Sequence, residues 1–171
     1  MSGSVLHAAG PVRRQKRTFS DSGKVHAGPQ WAIVTRVFMM KVFLVEDSEV
    51  VRQRLTGSLR EIGSVDVVGE AHSERDAIEG IRAAQPDAAI VDLQLKKGNG
   101  MNVLTAVRSQ NASILLIVLT NFAYPQYRSK CMASGADFFF DKSSEFVKVA
   151  ELLQERACAQ QAPSHPQGRP Q

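Results

Sequence analysis

Ala89-Ile90-Val91-Asp92-Leu93-Gln94-Leu95 decides how this chain folds. Three apolar residues run into a single carboxylate, and a turn-forming Gly98-Asn99-Gly100 follows. A short apolar run that stops near a turn reads as a buried strand of a parallel sheet. Open α/β sheets meet their ligands outside the carboxyl ends of such strands. Asp92 therefore stands where a ligand would arrive, in company with Glu46, Asp47, Thr120 and Lys142.

Working outward, the same pattern recurs. Lys41 to Val45 is an apolar strand that ends in Glu46-Asp47-Ser48. Two adjacent acids repel and pack poorly, so a cation is expected to compensate them. Ser48 is the expected N-cap of a helix to about Ile62, whose apolar face is Val51, Leu55, Leu59 and Ile62. Val65 to Glu70 reads as a strand. Ser73-Glu74-Arg75-Asp76 resembles a capping box for a helix that ends before Pro86. Asp87 to Asp92 is the third strand, and Val103, Leu104 and Val107 mark the helix after it. Ser113 to Leu119 is the fourth strand and ends at Thr120. Pro125 suits the first turn of the next helix, which should stop at Ser134-Gly135. Ala136 to Phe140 is the fifth strand, followed by Asp141-Lys142. Ser143 or Ser144 is expected to cap a last helix with Phe146, Val149, Leu152 and Leu153 on its buried face. Five strand–helix repeats imply a parallel sheet with helices on both faces, joined by right-handed crossovers. The expected fold is a flavodoxin-like, doubly wound (βα)5 domain of three layers, strand order 2-1-3-4-5. That order sets Glu46 and Asp47 beside Asp92.

Composition narrows the function. The chain has 171 residues, 43% of them hydrophobic, which suits one domain with tails. No apolar run approaches the ~18 residues of a membrane span, and no signal-peptide pattern follows the basic residues at 13–17. A cytoplasmic location is the expectation. Cys131 and Cys158 have neither a CxxC partner nor a histidine cluster, and read as reduced structural thiols. The net charge of +4 is uneven: residues 1–40 carry six Lys/Arg against one acid, while residues 41–157 carry fourteen against sixteen. The basic character thus sits outside the folded part, which argues against a nucleic-acid-binding domain. Residues 1–38 read as a disordered basic leader, with Met39-Met40 as an alternative start of translation. Residues 39–157 read as the domain, and 158–171 as a disordered tail.

Leu44-Val45-Glu46-Asp47, Ile90-Val91-Asp92-Leu93, Val118-Leu119-Thr120 and Phe140-Asp141-Lys142 each lie at an expected strand end, in that order. Together they make residues 40–156 resemble a receiver domain of bacterial two-component response regulators, of the stand-alone type. The segment from Gly135 to Phe146 is similar to a subgroup whose full-length members usually carry a helix-turn-helix output domain. The resemblance implies that Asp92 accepts a phosphoryl group from a histidine kinase or phosphotransfer protein, with Mg²⁺ as cofactor. It implies Asp47 as direct metal ligand, Glu46 as its neighbour acting through water, and the Gln94 backbone carbonyl as a further ligand beside Asp92. Lys142 and Thr120 would bind phosphoryl oxygens. Thr120 and Phe139 would form the switch that alters a protein-interaction surface around the Arg128/Lys130 helix. The implied partners are a kinase, a downstream effector protein and a phosphorylation-dependent second copy, without direct DNA binding or a membrane.

Two departures stand out: Lys96 and Ser143 occupy positions where relatives often have Pro. Gln94 and Phe122 fall where relatives tune dephosphorylation, and an apolar Phe122 would exclude water from the attack path. The chain is expected to be no enzyme beyond slow self-dephosphorylation. The alternatives are a phosphorylation-independent pseudo-receiver, a DNA-binding role for the basic leader, and an aspartyl-phosphate phosphatase. The last needs an acid where Gln94 stands.

Overall fold

The computed structural model describes residues 39–161. The expectations for the leader, and for the chain end beyond residue 161, lie outside them. The elements alternate strictly: β1 (Met40–Val45), α1 (Glu49–Arg60), β2 (Val65–Ala71), α2 (Glu74–Ala84), β3 (Ala88–Val91), α3 (Gly100–Gln110), β4 (Leu115–Thr120), α4 (Pro125–Ala133), β5 (Phe138–Asp141) and α5 (Phe146–Gln161). All neighbouring strands pair in parallel, in the order β2-β1-β3-β4-β5. This is the flavodoxin-like arrangement expected from the strand–helix alternation.

The sheet separates two cores by the period-2 alternation of its strands. Met40, Val42 and Leu44 of β1, with Ala88, Ile90, Ile117 and Leu119, face α1 and α5. There they meet Leu55, Leu59, Val149 and Leu153. Phe43 and Val45, with Ala89, Val91, Leu116, Val118 and Phe139, face α2, α3 and α4. Near-continuous apolar strands were required because both faces are covered. α4 is the least anchored helix, contributing only Cys131 to the fully buried set.

Local chemistry sets most boundaries. Ser73 accepts the Asp76 N–H at 3.2 Å, as the N-cap of a capping box does, but the Asp76 carboxylate takes the Ser73 hydroxyl at 2.7 Å rather than its backbone N–H, because Asp is shorter than the usual Glu. Pro86 bars its predecessor from the helical region, and Gln85 takes φ 45° instead. Pro125 opens α4, and Gly135 at φ 101° ends it.

Two caps differ from expectation. Ser48 holds the N-cap position of α1, but its side chain makes no capping bond; its backbone N–H donates to Glu46 Oε1 at 3.0 Å. Neither Ser143 nor Ser144 starts α5, which begins at Phe146. The cause is a tight turn in which Asp141 Oδ1 takes both the Ser143 N–H, at 2.8 Å, and its hydroxyl, at 2.6 Å. With that hydroxyl committed, the helix starts after Glu145, whose carboxylate accepts the Asp141 N–H at 3.0 Å. α5 also continues to Gln161, so residues 158–161 are helical where a tail was expected.

Candidate functional site

Register brings the acids together. Val45 pairs with Val91 across β1 and β3, so the next residues, Glu46 and Asp92, leave neighbouring strands side by side. The ladder runs on past the strands: the Asp92 N–H donates to Val45 O at 2.9 Å, and the Glu46 N–H to Ala71 O at 3.0 Å. On the other flank Thr120 pairs with Asp141, and the Lys142 N–H donates to Thr120 O at 3.0 Å. Lys142 therefore arrives at the same edge from a strand two positions away.

There it bridges the acids. Lys142 Nζ lies 2.6 Å from Asp92 Oδ2 and 2.5 Å from Glu46 Oε2, and all three side chains are less than a tenth exposed. Glu46 is held further by Ser48, and its carbonyl accepts from Arg52 Nη1 at 3.0 Å. Burial raises the Glu46 pKa above its ordinary value, against the opposing hydrogen bond and charge of Lys142. The sequence suggested that Glu46 would serve a metal through water; in the structure its first partner is the lysine.

Carboxylate oxygens of Glu46, Asp47 and Asp92 come within 4.8 Å of one another. Among the described residues, Asp92 Oδ1 is buried with no hydrogen-bond partner. An orphaned buried carboxylate oxygen is costly unless a donor or cation completes it. Together with the close acids, it makes an all-oxygen donor set that fits a hard divalent cation. Asp47 Oδ2 also accepts the Lys96 N–H at 3.0 Å, which ties the β3–α3 loop to the acids. These residues, with Gln94 and Asn121, line a cleft of about 570 Å³.

Thr120 and Phe139 are placed differently. Thr120 is fully buried at the end of β4, but it does not line the cleft; its hydroxyl accepts the Phe122 N–H at 3.3 Å. Phe139 is buried in the core beneath α4. The Arg128 guanidinium lies 4.9 Å from its ring centroid and donates to its carbonyl at 3.0 Å. Phe122 is half-buried and meets the edge of Tyr127.

Sequence reasoning passed over Gly100. A Cβ there would collide with the Asp92 carbonyl oxygen, so the first residue of α3 packs directly on the backbone of the site. The signal was a glycine opening a helix. Arg52 was missed too, since nothing in a helix pattern reports that a polar residue reaches a strand end. His72 lies 3.4 Å from the Glu46 carbonyl.

Residues 42–154 match the family model described as the response regulator receiver domain. The chain is 32% identical over 117 residues to the DNA-binding transcriptional activator DevR/DosR of Mycobacterium tuberculosis, covering 68% of this chain and 54% of that one. It is 29% identical over 114 residues to the response regulator VraR of Staphylococcus saprophyticus, with 67% and 54% covered. Among solved structures, the signal receiver domain of a NarL response regulator from Mycobacterium tuberculosis superposes with a TM-score of 0.65 at 27% identity, covering 71% of this chain and 98% of that one. The chain spans about half the length of the curated relatives it matches, so the comparisons lend no support to a stand-alone protein. DNA binding, named for the first relative, belongs to that longer protein. Strand order, the four strand-end motifs and the match over residues 42–154 agree: the chain belongs to the response regulator receiver domain family of two-component systems.

Proposed function

We propose that this domain is a phosphoacceptor in which Asp92 takes a phosphoryl group from a histidine kinase or phosphotransfer protein. The observation that carries the reading is the buried Lys142 bridge between Asp92 and Glu46, beside an Asp92 oxygen left without a partner. An Asp92 oxygen forms the new bond to phosphorus as the bond from phosphorus to the donor histidine nitrogen breaks, and that nitrogen keeps the electron pair. Lys142, held in place by both acids, supplies a fixed positive charge for a phosphoryl oxygen. Thr120 would turn its hydroxyl to donate to a phosphoryl oxygen, giving up the Phe122 N–H that it accepts, which changes the β4–α4 loop and the packing of Phe139 beneath α4. Asp47, Asp92 and the Gln94 carbonyl would hold Mg²⁺, with Glu46 behind them. Bound there, the ion would neutralise charge on the acids and on the transferred group.

Output would run through protein contacts at α4, β5 and α5, including a downstream effector and a second copy. For the described domain the absence of direct DNA binding remains our reading. The relatives' names leave DNA binding to whatever further sequence accompanies a receiver in a longer protein. The test is acetyl phosphate with Mg²⁺, read by intact mass. A gain of one phosphoryl group that disappears in Asp92→Asn and with a chelator is expected. No gain would favour the pseudo-receiver, a pure interaction module, and a gain that survives Asp92→Asn would refute Asp92 as acceptor.

A further inference from the structure

Glu74 opens α2 away from the acids, yet it grips the loop that serves them. Its Oε2 accepts the Asn99 N–H at 2.8 Å and the Asn102 side-chain amide at 3.1 Å. Its own N–H donates to the Lys97 carbonyl at 3.0 Å, and Ser73 forms a parallel bridge with Lys97. Gly98, at φ 97°, lies so close that a Cβ would run into the Glu74 side chain. The loop is thus seated flush on the start of α2.

The other side of this loop faces the cleft. Gln94 lines it and pairs with Asn99, the residue whose N–H Glu74 accepts. Lys96 donates its N–H to Asp47. Both groups that the loop presents to the acidic centre therefore depend on a segment whose far side is held by one carboxylate. Hydrogen bonds to an ionised acceptor are among the stronger ones. Among the described residues Glu74 forms no salt bridge, so these neutral loop donors are the partners its charge has.

We propose that Glu74 is a positioning residue for the acidic centre, holding the 94–99 loop so that Gln94 and Asp47 are set to receive a divalent cation. This rests on the proposed metal-dependent phosphoacceptor. Groups that orient metal ligands from behind typically change metal affinity 10–100-fold when lost.

The test uses the whole chain and Mn²⁺ as the probe, with free Mn²⁺ read by electron paramagnetic resonance. Glu74→Ala is expected to weaken Mn²⁺ binding about 10-fold or more. Glu74→Gln, which keeps an oxygen of the same reach but loses the charge, should weaken binding less than Glu74→Ala, as should Asn102→Ala, which removes one of the two donors. A merely structural role would lower the urea midpoint and leave the Mn²⁺ affinity of the folded protein unchanged. That result for Glu74→Ala overturns the proposal. If Glu74→Ala does not fold, an unchanged affinity in Asn102→Ala overturns it instead. Wild-type protein that binds no Mn²⁺ overturns the metal reading along with it, and shows this before any variant is made.

Discussion

Replacing Lys142 by methionine removes the cation that bridges Glu46 and Asp92 while keeping most of the side-chain volume. Both ion pairs are within hydrogen-bond distance and both acids are buried. Removing one member of a buried pair costs about 3–5 kcal/mol, because the charge left behind is uncompensated. Here two charges are left. Stability of a domain this size is typically about 5–15 kcal/mol, so the variant should fold but unfold at much lower urea.

The loss should depend on pH, with a definite sign. Glu46 already has its folded-state pKa raised by burial, and Lys142 is what opposes the rise. Without the lysine the folded value climbs further above the unfolded one. Stability linked to Glu46 is then fully present below the unfolded value, near 4.5, and is lost as pH rises through the raised folded value. Lys142→Met should therefore lie nearer wild type at pH 5 than at pH 8. Mg²⁺ should also recover more stability in the variant than in wild type, since the acids it meets are no longer compensated by an ammonium group. Saturation at about 100 times the dissociation constant would add about 2.7 kcal/mol. Urea titrations followed by circular dichroism, at both pH values with and without Mg²⁺, decide it. A variant as stable as wild type at pH 8, or equally destabilised at both pH values, would refute the reasoning.

The remaining expectations address neighbouring parts. Gly100→Ala drives a methyl into the Asp92 carbonyl, which cannot swing aside as a side chain can. It should cost about 1–3 kcal/mol in urea unfolding and slow phosphorylation by acetyl phosphate. Arg128→Gln removes the guanidinium from the face of Phe139, worth about 0.5–2 kcal/mol. In a Cys158→Ser background it should speed thiol labelling of Cys131, which is buried in the same cluster as Phe139; an unchanged labelling rate would refute a role for the Arg128–Phe139 contact in holding α4 closed over that cluster. Asp141 has its pKa lowered by the Ser143 hydroxyl and N–H, so its contribution to stability is present above the ordinary value of 3.8 and fades as pH falls through the lowered one. Ser143→Ala should raise the Asp141 pKa in a carboxyl NMR titration.

Strand identity was legible because β1, β3 and β4 are covered on both faces and are apolar at nearly every position. Their ends were legible because charged or hydroxyl residues follow abruptly at Glu46, Asp92 and Thr120. The start of α5 was not. Ser143 and Ser144 look like caps in a linear reading, but Asp141 engages Ser143 first. Ser48 misled for a related reason: the residue stands at the cap, while the nearby Glu46 carboxylate takes its N–H.

By itself the sequence determined the alternation of strands and helices, the period-2 faces that separate the two cores, and the set of strand ends that carry acids, a hydroxyl and an amine. These depend on local pattern and on the burial each strand needs. Only the tertiary structure decided which groups meet. Lys142 closes on Glu46, 96 positions earlier in the chain, Thr120 turns its hydroxyl to Phe122 rather than the cleft, Glu74 seats the 94–99 loop, and Gly100 lies against the Asp92 backbone. Those contacts follow from strand register and helix placement, which bring distant segments within a few ångströms and leave no trace in the local spacing of residues.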